Sequence, residues 1–161
     1  MLIRNTQISE IDLVMEIYSI ARAFMRNSGN PNQWGDGYPS RQLIESDIAN
    51  NFSYVIEDRG EIIGTFFFKE GEDPTYLKIY GGKWLDDGKY GVIHRIAVKY
   101  QGRNIVSKAF DFCFGIINNI RIDTRRDNIP MQKALARHGF RYCGIIHLES
   151  GDERMAYQRN T

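Results

Sequence analysis

The chain lacks most of what would mark a specialised protein. It has two cysteines in 161 residues, too few for a disulfide framework or a cysteine-rich zinc site. Both, Cys113 and Cys143, sit in apolar runs and read as buried core thiols. Charge of one sign is not in excess: 21 Lys and Arg face 20 Asp and Glu, a formal +1. Coating a nucleic acid or an anionic membrane requires clustered positive charge, and no such block is present. Long apolar runs are also missing. The longest, residues 62–68, falls far short of the ~20 residues that span a bilayer, and residues 1–6 show no apolar core of a secretion signal. The expectation is a reducing, cytoplasmic setting with no nucleic-acid, membrane or metal partner.

What is present is ordinary globular material, 42% apolar and 25% charged, which at about 150 residues per domain makes a single domain, residues 1–161. Ser9, Glu10 and Asp12 give a helix start ahead of Ile11, Val14, Tyr18 and Met25 at helical spacing. Residues 27–39 are dense in Asn, Gly and Pro and carry Trp34 and Tyr38 without periodicity, a loop that displays aromatics. A second helix begins at Pro39-Ser40 and carries Leu43, Ile44 and Ile48. Two β-branched and aromatic runs, 52–57 and 61–69, flank Asp58-Arg59-Gly60 and read as a hairpin. A third strand, 91–98, follows only after an excursion of a length usually functional or flexible. Val106, Ala109, Phe110, Cys113 and Ile117 then mark a helix, 120–124 a strand, and 131–138 a helix ended by Gly139. Strands 140–148 and 153–158 close the chain. The order β-α-α-β-β-β-α-β-α-β-β predicts an α+β fold, a mixed sheet of about seven strands flanked by about four helices.

The most informative stretch runs from Val92 through His94 and Val98 to Gln101-Gly102-Arg103-Asn104-Ile105-Val106: a buried strand, a short polar loop, a helix. Such a junction turns free N–H groups and the positive end of a helix dipole outward, which suits a phosphate or pyrophosphate, although many such junctions bind nothing. It is neither a Walker loop nor a GxGxxG. The stretch resembles the acetyl-CoA loop of the GNAT family of N-acetyltransferases: Arg or Gln, two residues, Gly, one residue, then Gly or Ala. The resemblance spans nearly the whole chain, because the element order agrees and Asn128 followed by Gly139-Phe140 is similar to the family's later motif. It implies a mostly antiparallel, GNAT-like acyl-CoA N-acyltransferase fold with acetyl-CoA as co-substrate. Backbone groups of Ile96, Ala97 and Val98 would pair with pantetheine. Gln101, Gly102, Arg103, Asn104, Ile105, Val106 and Ser107 would hold the pyrophosphate, and Asn128 would also contact the cofactor. Two residues depart from the pattern. Asn104 replaces a glycine, tolerable because Asn visits the left-handed region and caps helices, and Val106 adds methyls where the family has Gly or Ala.

The resemblance also bears on the chemistry. Many family members place a Tyr four residues before the Gly-Phe pair to protonate the departing thiolate; here it is Leu135, so Tyr142, Tyr157 or water must serve. His94 precedes the loop, and by family topology Asp123 ends the neighbouring strand. The two read either as base and orienter for an amine or as a core histidine satisfied by a carboxylate. A period of two would place residues 92, 94, 96 and 98 on one face. Trp34 and Tyr38 fall where the family builds its acceptor pocket. Tyr76 and Trp84, with Asp73, fall across the cleft. Aromatic walls with a few carboxylates suit a cationic amine with an apolar or planar part; otherwise they anchor their own loops. The implied activity is acetyl transfer from acetyl-CoA to a primary amine of a small molecule or peptide by direct attack in a ternary complex. An alternative, motivated by Val106 and Leu135, is a weak or inactive acyl-CoA-binding sensory domain; another is a protein-interaction module built on the aromatic loops. The acceptor's identity and a homodimeric state are left open.

Overall fold

The computed structural model describes residues 1–161. A seven-stranded sheet runs in the order β1-β2-β3-β4-β5-β7-β6, from Leu2–Asn5 (β1), Ser53–Asp58 (β2), Glu61–Glu70 (β3), Gly91–Val98 (β4), Asn119–Thr124 (β5), Arg141–His147 (β6) and Glu153–Asn160 (β7). The helices are Ile11–Asn27 (α1), Arg41–Ala49 (α2), Ile105–Phe114 (α3) and Ile129–Arg137 (α4). The element order is the one the sequence pattern predicts. Every strand pair is antiparallel except β4 with β5.

Local chemistry sets the helix ends. Ser40 accepts a hydrogen bond from the Leu43 N–H to start α2, and Asn128 does the same for Met131 at the start of α4. Pro130 sits in the first turn of α4, where a missing N–H costs nothing. Ser9 does not cap α1 as expected. A 3-10 turn, Ile8–Glu10, precedes the helix instead, and the Glu10 carboxylate accepts from the Gln7 N–H while gripping Arg4.

Strand alternation divides the core. Ile56, Phe66, Phe68, Ile93, Ile120 and Ile122 meet α3 and α4 through Ala109, Phe110, Cys113 and Leu135. Val55 and Ala97, on the other face, meet Val14, Ile17, Tyr18, Ile44 and Ile48 of α1 and α2. The excursion between β3 and β4 is anchored to the sheet. Tyr76 and Tyr90 pack on Val92, Ile146 and Ala156, and the Arg121 guanidinium lies 4.3 Å from the Trp84 ring centroid and 4.0 Å from that of Tyr90.

Two irregularities mark β4. Its register against β3 passes from Phe67↔His94 to Thr65↔Ala97, so Arg95 and Ile96 together oppose Phe66. Arg95 takes φ +51, a left-handed conformation that residues other than glycine rarely adopt and a mark of a β-bulge. The bulge resets the alternation: Val92 and His94 are in phase with Ala97, whereas Val98 joins Ile93 on the α3 side. The expected common face of 92, 94, 96 and 98 is therefore corrected, because the period of two holds only on either side of Arg95. The second irregularity is that β4 and β5 pair only at Gly91↔Ile120 and Val92↔Arg121 and then diverge, opening a wedge.

Candidate active site

One arm of the wedge is a cavity of about 420 Å³ walled by Ile96, Ala97 and Val98, the loop from Tyr100, the first turn of α3 and one side of α4. No backbone N–H from Gly102 to Ser107 has a partner inside the protein. Gly102 at φ +74 and Asn104 at φ +57 supply the left-handed turns that bend this loop. Asn104 thus takes a glycine's conformation, but its side chain does not cap α3, because a capping side chain needs extended backbone. Gln101, Arg103, Ile105, Val106, Ser107 and Asn128 line the same cavity. Its cationic and imidazole residues are Arg103, Lys133, Arg137 and His138, and no Asp or Glu lines it. Ser107 Oγ lies 2.8 Å from His138 Nε2, and burial pulls His138 below the usual histidine range. This pair joins the first turn of α3 to the end of α4, a proximity no local spacing announces.

A second cavity, of about 570 Å³, shares Met25, Ile96, Asn128 and Met131 with the first. His94 lies in its wall, with Nε2 2.6 Å from Asp73 Oδ2 and Nδ1 3.7 Å from Asp123 Oδ2. Asp73 Oδ1 also accepts from the N–H and hydroxyl of Thr75. Burial pushes the Asp73 carboxyl up, but the bonds and charge from His94 and the bonds from Thr75 outweigh it and bring it down to about 2. An ionised Asp73 keeps a proton on Nε2 and leaves the Nδ1 lone pair on the Asp123 side. The hydrogen-bonded partner of His94 is thus Asp73, whereas Asp123, the partner expected from topology, stands off the other nitrogen. Asp123 Oδ2 in turn accepts from the Tyr76 hydroxyl at 2.7 Å.

Trp34 and Tyr38 line this second cavity, but three other candidates do not. Tyr76 is 1% exposed and supports the site from behind, its hydroxyl on Asp123 and its ring centroid 5.9 Å from that of His94. Trp84 donates to the Tyr76 carbonyl and covers Arg121, so it belongs to the anchored excursion. Tyr142 is half exposed on the sheet's outermost strand, its ring against Tyr157, and lines neither cavity. Tyr157 and Leu135 are core residues. Aromaticity and loop position look alike for wall and anchor residues; only the packing separates them.

The loop between α1 and α2 is fastened to both halves of the sheet. Arg95 donates to the Tyr38 hydroxyl and to Asp47 at 2.6 Å, with its guanidinium 4.7 Å from the Phe67 ring centroid. Burial pushes Asp47 up against the pull of Arg95. Gln33 Oε1 accepts from both Asn30 and Asn128, and its carbonyl accepts from Arg154. Asn128 therefore caps α4, lines both cavities and holds the loop between α1 and α2.

Residues 14–140 match the family model described as the acetyltransferase (GNAT) family. The chain belongs to the GNAT family. A GNAT acetyltransferase from Streptococcus agalactiae is 34% identical, covers 99% of this chain and 95% of its own, and superposes with a TM-score of 0.88. Two more distant structures share the GNAT fold. A GNAT-like decarboxylase in complex with isobutyryl-CoA is 16% identical, with 99% of each chain covered and a TM-score of 0.69. The NatC complex bound to a Gag peptide and CoA is 14% identical, with 99% and 98% covered and a TM-score of 0.65. No curated protein matches the chain. No helix of this GNAT protein is long and apolar enough to cross a membrane, and no group of three or more His, Cys, Asp or Glu side chains is placed to hold a metal ion.

Proposed function

We propose that this GNAT protein transfers an acetyl group from acetyl-CoA to a primary amine by direct attack in a ternary complex. The observation that carries this reading is that the two cavities adjoin, sharing Met25, Ile96, Asn128 and Met131, one lined by cations and free N–H groups, the other holding His94 between two carboxylates. The first fits CoA on its own chemistry: unpaired helix N–H groups for the pyrophosphate, and a lining with Lys133, Arg137, His138 and Arg103, the last paired outside the cavity with Asp58 at 3.1 Å, and no carboxylate in the lining itself. Beyond Val92, the β4 edge has no strand partner on the wedge side, where an extended pantetheine arm would run. The CoA and isobutyryl-CoA carried by two structures of the same fold support it.

The bound thioester supplies an acyl group activated for transfer. The chain supplies position and a base. An ammonium with pKa ~10.4 must lose a proton, costing about 4.6 kcal/mol at pH 7. Holding amine and acyl group in line contributes ~7–11 kcal/mol, and a general base adds a factor of ~10²–10⁴. Nδ1 of His94 takes the ammonium proton, and the resulting imidazolium is held by Asp73 on Nε2 and by Asp123 beyond Nδ1. Neither Tyr142 nor Tyr157 lines either cavity, and the hydroxyls of the tyrosines that do, Tyr38 and Tyr100, are engaged by Arg95 and Glu61; the leaving thiolate takes its proton from water or from the amine nitrogen itself. Neither cysteine lines a cavity, and burial pushes the Cys113 thiol up, which disfavours an acetyl-enzyme.

Acetyl-CoA should protect the amides of residues 96–107 from hydrogen exchange and give a measurable heat of binding; absence of both would overturn the reading. Trp34→Ala should raise the acceptor KM several-fold and leave acetyl-CoA affinity unchanged, since a wall of this kind supplies binding that is equal in ground and transition states. A lower melting temperature with unchanged KM would make Trp34 a loop anchor, held by an edge contact to Tyr18 and a tilted one to Tyr38.

A further inference from the structure

The second cavity is lopsided in its unpaired charge. Three cationic or titratable bases line it, Arg95, Arg154 and His94, and each already has a carboxylate. Arg95 has Asp47 at 2.6 Å, His94 has Asp73 at 2.6 Å, and Arg154 has Asp152 at 3.6 Å with the Gln33 carbonyl as a further acceptor. Asp123 is different. Its side chain is 10% exposed, Oδ2 takes the Tyr76 hydroxyl, and Oδ1 has no hydrogen-bond partner in the protein. Oδ1 is also not among the sealed, unpartnered polar atoms of the fold, so it faces the open cavity. A carboxylate oxygen with little exposure and no partner is a ready acceptor for a cation that enters the cavity. The cavity therefore offers one oxygen to a cation and no unpaired cation to an anion.

Resting on the reading of this cavity as the acceptor site, we infer that the acceptor is an alkyl or arylalkyl amine without a carboxylate beside its nitrogen, held by an ammonium bond to Asp123 Oδ1. An amino acid brings its α-carboxylate within a few ångströms of its ammonium, where it meets Asp123 and Asp73 and finds no free guanidinium. Trp34 and Tyr38 offer apolar and π surface to the remainder of the amine. Asp123 thus selects the substrate as well as steadying the imidazolium.

Matched pairs that differ only in a carboxylate beside the nitrogen test this: tryptamine against tryptophan, phenethylamine against phenylalanine. Thiol release from acetyl-CoA should give kcat/KM at least about 10²-fold higher for the decarboxylated member, on the scale of a like-charge or unpaired-ion penalty. Asp123→Asn, checked for an unchanged fold, should raise the amine KM tenfold or more and shrink the ratio within each pair, because the repelling charge is gone. A merely structural Asp123 would leave that ratio unmoved. Amino acids used as well as the amines, or a ratio unchanged in Asp123→Asn, would overturn the inference while leaving the acetyltransferase reading intact. So would acetyl-CoA binding with no amine bound or acetylated. If acetyl-CoA itself fails to bind, the acetyltransferase reading falls, and ligand-detected NMR on the same pairs still decides this inference by whether the amines bind preferentially and depend on Asp123.

Discussion

His94→Gln is expected to lower kcat/KM for the amine by about 10²-fold or more at pH 7. Glutamine keeps much of the volume and can still donate to Asp73, but it offers no basic nitrogen at the Nδ1 position facing Asp123. The deficit should shrink as pH approaches ~10, where the amine deprotonates unaided, and acetyl-CoA affinity should stay as in the parent. A folded variant with full rate at pH 7 would assign the base to water. The same exchange has an acid signature. Asp73 titrates at about 2 in the folded protein against an ordinary value of 3.8. A depressed carboxyl stabilises the fold above its unfolded pKa and loses that contribution as pH falls through its folded one. The parent's stability advantage over His94→Gln should accordingly fade between about pH 4 and pH 2, as denaturant midpoints measured across that range would record.

The second large effect concerns stability. Asp47→Ala should cost about 3–5 kcal/mol, the range found when one partner of a buried ion pair is removed. Arg95 is 10% exposed, its Nε already lacks a partner, and only the Tyr38 hydroxyl would remain on the guanidinium. At about 2–4 °C per kcal/mol for a domain of this size, the melting temperature should fall by roughly 6–20 °C. A fall below about 2 °C would show that water or a rotamer change reaches the guanidinium cheaply. The variant also leaves a free cation on the wall of the amine cavity, so its acceptor KM should rise even at temperatures where it is fully folded.

Much of this architecture is legible from side-chain periodicity. Ser40 announces its helix because a cap is a contact between residues three apart, and the Gln101–Ser107 junction stands out because strand, polar loop and helix follow without interruption. The bulge is illegible for a definite reason. Glycine usually marks a left-handed strand residue, but here an arginine is held there by Asp47, Tyr38 and Phe67, all distant in sequence. The Asp73–His94 bond is hidden in the same way: it spans 21 residues and depends on how the excursion folds back after Pro74. Tyr142, Trp84 and Tyr76 carry the right chemistry at the right distance along the chain, but an aromatic ring in a strand or excursion fits an anchor as well as a wall.

The two register pairs between β4 and β5 have a mechanical meaning. Strands β1 to β4 make one leaf and β5 to β7 another, joined at one end like book covers glued only at the foot of the spine. A molecule lodged between them presses on Ile96 of one leaf and on Asn128 and Met131 at the edge of the other, and so braces the pair. Resistance to heat and to proteases then depends on concentration: a ligand at 100 times its Kd adds about 2.7 kcal/mol to the folded state. The lifetime of the polypeptide in a cell would follow the supply of whatever occupies the gap, with no regulatory domain needed to sense it.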